Sequence, residues 1–112
     1  MISQAKLSYL RISPRKVRAV ADLVRGKQVG DALNILAFTN RRPCEHVAKL
    51  IKSAVANAVQ IPDMNVNVDR LYITRLFVDE GPVLKRYLPR AHGRASKIMK
   101  RTSHITLQLD IK

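Results

Sequence analysis

A chain of 112 residues suffices for one domain with a small core and leaves no room for two. Its 21 Lys and Arg against 8 Asp and Glu give a formal net charge of +13 and a pI near 10.8, a balance that points to a polyanion, nucleic acid first, as partner. A single cysteine, Cys44, excludes an internal disulfide and fits a reducing compartment, and with no apolar run near membrane length and no signal-peptide core the chain reads as intracellular.

Ala5 to Ile12 is short and mixed, with Leu7 and Tyr9 on one face and Leu10 and Ile12 on the other, which suits a strand. Ser13 followed by Pro14 is a helix start: the serine oxygen can cap, and proline at the first helical position gives up only an orphan N–H. That helix is expected to run to Arg25 and stop at Gly26, with Val17, Val20, Ala21 and Val24 turned to the core. Arg15, Arg18, Asp22 and Arg25 share its flank, and with Arg11, Lys16 and Lys27 they form a basic surface, although any one of them could equally be an ordinary solvated residue.

Gly30 to Thr39 reads as a short helix burying Leu33, Leu36 and Ala37. Pro43 opens a longer one reaching about Val59, whose stripe of Val47, Leu50, Ile51, Ala54, Val55 and Ala58 makes it the main core helix. Ile61 to Asn67, with Pro62, Asp63 and two asparagines, is a connecting loop. Beyond it, Tyr72, Thr74, Leu76 and Val78 share one strand face, and Ile105, Leu107, Leu109 and Ile111 alternate with polar residues on another strand. A hairpin turning at Arg90 to Gly93 pairs Val78 with Ile105, Leu76 with Leu107 and Tyr72 with Ile111, so the apolar faces coincide.

Between these strands lies a stretch that suits neither helix nor core. From Gly81 to Arg101 there are seven basic residues (Lys85, Arg86, Arg90, Arg94, Lys97, Lys100 and Arg101) and no acidic one; taking these from the net +13 leaves +6 for the remainder. Extending the hairpin register outward sets Arg86 against Lys97, a like-charge pair tolerable only near phosphates. Pro82 and Pro89 cannot donate to a ladder, so this arm should be irregularly paired with two uncovered edges. Legs of roughly 12 residues at about 3.4 Å each reach about 40 Å.

No catalytic or metal pattern stands out. His46, His92 and His104 lie far apart and form no HxH, HExxH or Cys/His ligand spacing. RGKQ at Arg25 lacks the glycines of a phosphate loop, and Asp79 and Glu80, adjacent on a strand, point to opposite faces and suit ion pairs with the arm better than acid–base work. The expectation is no enzyme, no cofactor and no metal.

The segments DEGPVLKRYLPRAHGRASKIMKRTSHITL, RISPRKVRAVADLVRGK and SAVANAV closely resemble the family of bacterial-type large-subunit ribosomal proteins L twenty-two, nearly end to end. The resemblance implies an α+β fold, three helices packed on a small three-stranded antiparallel sheet with a long extended β-hairpin arm. It divides this single domain into a body, residues 1–79 and 104–112, and an arm, residues 80–103. It implies a seat on large-subunit ribosomal RNA in the cytoplasm, or in an organelle, with neighbouring ribosomal proteins and the nascent polypeptide of the exit tunnel as partners, and no homo-oligomer.

Carried onto this sequence, the expected RNA contacts are Arg11, Ser13, Arg15, Lys16, Arg18, Arg25 and Lys27 on the body. On the arm they are Lys85, Arg86, Arg94, Lys97, Lys100, Arg101, Thr102, Ser103 and His104. The tunnel-lining tip is Pro89, Arg90, Ala91, His92 and Gly93. His92 stands where the family usually carries Lys or Arg, which lowers the tip's fixed charge and makes it slightly pH-sensitive. The alternative, a free architectural DNA- or RNA-binding protein with a basic arm, differs in sedimenting away from ribosomal subunits.

Overall fold

The computed structural model describes residues 2–61, 65–89, 93 and 95–111. The chain runs β1 (Ser3–Leu10), α1 (Pro14–Val24), α2 (Val29–Phe38), α3 (Pro43–Val59), a 3-10 turn (Val68–Arg70), β2 (Leu71–Glu80), β3 (Leu84–Pro89), β4 (Ala95–Lys100) and β5 (Ser103–Ile111). β5 is central in an antiparallel sheet of order β1-β5-β2, and β3 pairs with β4 in a separate two-stranded ribbon. The helices pack on one face of the three-stranded sheet, α3 mainly against β1 and β5 and α1 against β2. The arrangement is the expected α+β one.

The core forms where the two periodicities meet. Val17, Val20, Ala21 and Val24 of α1 and Val47, Leu50, Ile51, Ala54 and Ala58 of α3 are buried against Ala5, Leu71, Ile73, Leu76, Val78, Ile105, Leu107 and Leu109. Alanine at position 54 lets α3 approach β1 closely enough for the buried Ser3 hydroxyl to donate to the Ala54 carbonyl at 2.9 Å. Full burial of an Ile or Leu side chain stabilises by roughly 1.5–3 kcal/mol, so the sheet face and α3 account for most of the hydrophobic driving force. α2 uses a different face from the one expected: Val29, Ala32 and Leu36 are buried, Leu33 is half-buried and Ala37 is exposed. The inward stripe follows i, i+3, i+7 from Val29, which leaves Leu33 on its flank and Ala37 outside.

Ser13 does occupy the N-cap of α1 with extended backbone, but its side chain makes no capping bond; its carbonyl accepts from the N–H groups of Lys16 (3.1 Å) and Val17 (3.3 Å). At the other end Gly26, at φ +80°, turns the chain out of the helix, and the Lys27 carbonyl then accepts from the Ile73 N–H at 2.9 Å. A residue with a Cβ is disfavoured in that left-handed conformation.

The register of β2 on β5 pairs Leu76 with Leu107 and Val78 with Ile105 as expected, then shifts between Ile73 and Arg75. Beyond the shift Tyr72 faces Asp110 rather than Ile111, and Leu71 and Ile73, not Tyr72 and Thr74, point into the core. A bulge adds one residue to one strand and so exchanges its two faces. A second offset follows the sheet: the three residues 81–83 on the outgoing chain stand against only Arg101 and Thr102 on the returning one. The ribbon therefore pairs Arg86 with Ile98 and Tyr87 with Lys97, so the expected opposition of Arg86 and Lys97 does not occur. β1 also begins two residues earlier than expected and ends at Leu10, with a register shift between Leu7 and Leu10. Ile12 is buried beyond its end.

Candidate nucleic-acid interface

α1 and α3 both begin with a buried proline, Pro14 and Pro43, and the two starts come together beside the root of the ribbon. Three adjoining clefts open there, all sharing Ser13. The first, about 280 Å³, is lined by Arg11, Ile12, Ser13, Lys16, Arg42, Pro43, Lys100 and Arg101. The second adds Arg15, Ala19 and Arg41, and the third adds Pro14, Arg18 and Glu80. Arg11, Arg15, Lys16, Arg18, Arg41, Arg42, Lys100 and Arg101 thus surround a surface to which Glu80 contributes the one carboxylate. Both helix N-termini add the positive ends of their dipoles. Such a field attracts anions, polyanions above all, and repels cations.

Of the residues expected to contact RNA, Arg11, Ser13, Arg15, Lys16, Arg18, Lys100 and Arg101 are brought together here. Arg25 and Lys27 are not, because they sit at the far end of an 11-residue helix, about 16 Å away along its axis. Arg25 is also engaged inside the fold: its Nε and Nη2 donate to the Leu76 carbonyl at 2.9 and 2.7 Å, and Nη1 pairs with Asp22. Arg18 does likewise with the Val78 carbonyl, through Nε (3.2 Å) and Nη2 (2.9 Å), while its side chain remains exposed to the third cleft. β2 is an edge strand of the sheet, and these two guanidinium groups cap its outward carbonyls.

The run Thr102, Ser103, His104 is placed otherwise than its polarity suggested. Thr102 Oγ1 donates to the Pro82 carbonyl at 2.7 Å, Ser103 Oγ donates to the Ile12 carbonyl, and both residues are buried. His104 is half-buried, its Nδ1 accepting from the Tyr9 N–H at 3.1 Å. All three side chains make hydrogen bonds within the fold at the root of the arm. Lys85 is exposed on β3, and Arg86 and Lys97 lie on β3 and β4. Arg90, Ala91, His92 and Arg94 lie outside the described residues, while Pro89 ends β3 and Gly93 is exposed at φ +73°.

Sequence reasoning missed Arg41 and Arg42. Their signal was of the same kind as that of Arg11: basic residues within three positions ahead of a proline that opens a helix, hence near its positive end. Asp79 faces His104 across the ladder and Glu80 lines the third cleft, yet neither closes an ion pair among the described residues; those present are Arg25 with Asp22 and Lys49 with Glu45. Among the described residues no three His, Cys, Asp or Glu side chains gather as a metal site would need, and no helix is long and apolar enough to cross a membrane.

A small α+β body that gathers cations and helix N-termini at the base of a basic ribbon has the make-up of a nucleic-acid-binding protein. The profile of the family described as ribosomal protein L22p/L17e matches residues 5–110, and the chain belongs to that family. The protein named "Large ribosomal subunit protein uL22" in Thermus thermophilus is 57% identical over 112 residues, covering 100% of this chain and 97% of that one. Its namesake in Syntrophotalea carbinolica is 54% identical over 112 residues with both chains fully covered. That of Geobacter metallireducens is 55% identical over 109 residues, 97% of each chain.

Proposed function

We propose that the protein is a structural constituent of the large ribosomal subunit in the cytoplasm, that it holds ribosomal RNA in the three clefts around Ser13, and that its arm lines the nascent-polypeptide exit tunnel with residues 89–93 at the tip. Its neighbours are ribosomal RNA and other large-subunit proteins, and its work is binding, with no reaction of its own. The observation that carries this reading is the near-uniform positive sign of the clefts at the root of an arm whose stretch from Gly81 to Arg101 holds seven cations and no anion. Such an arm repels itself in water and is quieted by phosphate. The elongated shape, 66 × 28 × 16 Å, supports a part that reaches away from its seat.

Sucrose-gradient sedimentation of lysate at low magnesium tests the assignment. The protein is expected with the large subunit. Its presence in the light fractions, bound to DNA or free, would replace this reading with that of an independent architectural protein.

A further inference from the structure

We propose that Tyr9 is a nucleobase-stacking residue, its ring receiving the face of one unpaired base of the bound RNA at the root of the arm. The inference rests on the RNA-binding reading above and adds a contact of a different kind from ion pairing.

The backbone supplies the first reason. Tyr9 has φ +59° and is the single non-glycine residue with positive φ among those described. Ser3, Ala5 and Leu7 alternate on the inner face of β1, and the same alternation would send residue 9 inward. The register shift between Leu7 and Leu10 intervenes, and Tyr9 is 66% exposed instead. A left-handed conformation is disfavoured for any residue with a Cβ, and solvent is a poor place for an aromatic ring. Bulges that re-aim one side chain recur beside functional sites. Two unfavourable choices therefore converge on presenting this ring.

The ring is also held. The Tyr9 N–H donates to His104 Nδ1 at 3.1 Å, and the two rings meet edge to face, centroids 4.8 Å apart at 87°. His104 is seated in turn against Gly81, where an added Cβ would lie 3.2 Å from Nε2. A ring fixed before binding loses little freedom when a base stacks on it. Its surroundings select the ligand: Tyr9 lines no cleft itself, but Arg11, two residues and about 7 Å of extended chain on, lines the first with Lys100 and Arg101, so a base next to phosphates held there would have the ring within reach. Unpaired bases stack on aromatic side chains whatever their sequence. Phe38 is more exposed, at 91%, but no ring contact holds it among the described residues, and no residue within two positions of it lines these clefts.

The protein contains no tryptophan, so Tyr9→Trp installs a lone indole reporter. Its emission is expected to fall by about half or more on titration with single-stranded oligoadenylate and to stay constant with inorganic polyphosphate, which offers charge without bases. Tyr9→Ala should weaken oligoadenylate and ribosomal RNA fragments by about five- to a hundredfold while leaving the slope of log affinity against log salt unchanged. Tyr9→Phe should bind as the parent does. Tyr9→Gly, at ease at this φ, should keep or raise the melting temperature and still lose affinity, which a merely structural tyrosine would not do. Parent-like RNA affinity in both Tyr9→Gly and Tyr9→Ala, or equal quenching by polyphosphate and RNA, overturns the inference. Absence of salt-dependent RNA binding by the unaltered protein would overturn the RNA-binding reading itself, whereas such binding indifferent to Tyr9 leaves that reading standing.

Discussion

Gly81 occupies a space that only a glycine fits. A Cβ there would collide with Thr102 Oγ1, and Thr102 cannot swing aside because it is buried and bonded to the Pro82 carbonyl. Gly81→Ala is expected to destabilise by about 1–3 kcal/mol, read as a lower urea midpoint at unchanged slope. Ser103→Ala should cost about 1 kcal/mol by stripping the Ile12 carbonyl of a buried donor. Neither role was legible in the sequence: TSH beside two cations reads as a polar RNA-facing run, and its partners Pro82 and Ile12 lie 20 and 91 residues away. Asp110 adds a small pH dependence. The Ile111 N–H donates to its Oδ1 at 2.8 Å and holds its carboxyl below the ordinary aspartate range. A depressed folded value means stabilisation that is full above the unfolded pKa and lost as pH falls through the folded one, so Asp110→Asn should flatten the acid limb of stability below about pH 4.

At the level of elements, boundaries written by prolines and glycines were legible and bulges were not. α1 and α3 begin at Pro14 and Pro43, and α3 ends at Val59, where the sequence put them. The bulge in β2 left a trace that was open to reading: its aliphatic residues fall at 71 and 73 and then at 76 and 78, a change of parity that an unbroken strand cannot accommodate. α1 combines two jobs on one flank, and single substitutions separate them. Arg25→Ala removes a two-donor clamp on the Leu76 carbonyl and should lower stability by about 1 kcal/mol while leaving RNA affinity nearly unchanged. Arg15→Ala makes no hydrogen bond to lose among the described residues; stability should hold within about 0.5 kcal/mol while the salt slope of RNA binding falls by about one unit or less. Thermal melts beside affinity measured at several salt concentrations check both.

For the whole molecule, the helices pack on β1, β2 and β5 rather than on the β3–β4 ribbon, so the body and the arm stand on different supports. In the isolated protein, amides of β3 and β4 should exchange with solvent far faster than those of β5, which lies between two strands. Uniformly slow exchange across both would contradict this. Deleting Leu84 to Arg86 shortens β3 by half and shifts its register by an odd number, exchanging the faces of the leg and drawing it in by about 10 Å. The body keeps its core in such a variant, so subunits should still assemble while passage of stalling peptides changes. Subunits lacking the protein, or stalling identical to the parent's, would count against that expectation.

The ribbon has one further consequence, for the time before a copy meets its RNA. Each arm bears two strand edges with no neighbour, and an unpaired edge is a template for another copy's edge. Newly made chains repel one another through their net charge of +13, about half of it on the arms, and salt screens that repulsion. Ionic strength therefore pushes in one direction twice over, loosening the grip on phosphate and removing the repulsion between orphans. Light scattering of the free protein should rise with salt, and a cell that makes this chain faster than it makes ribosomal RNA should find the surplus in aggregates.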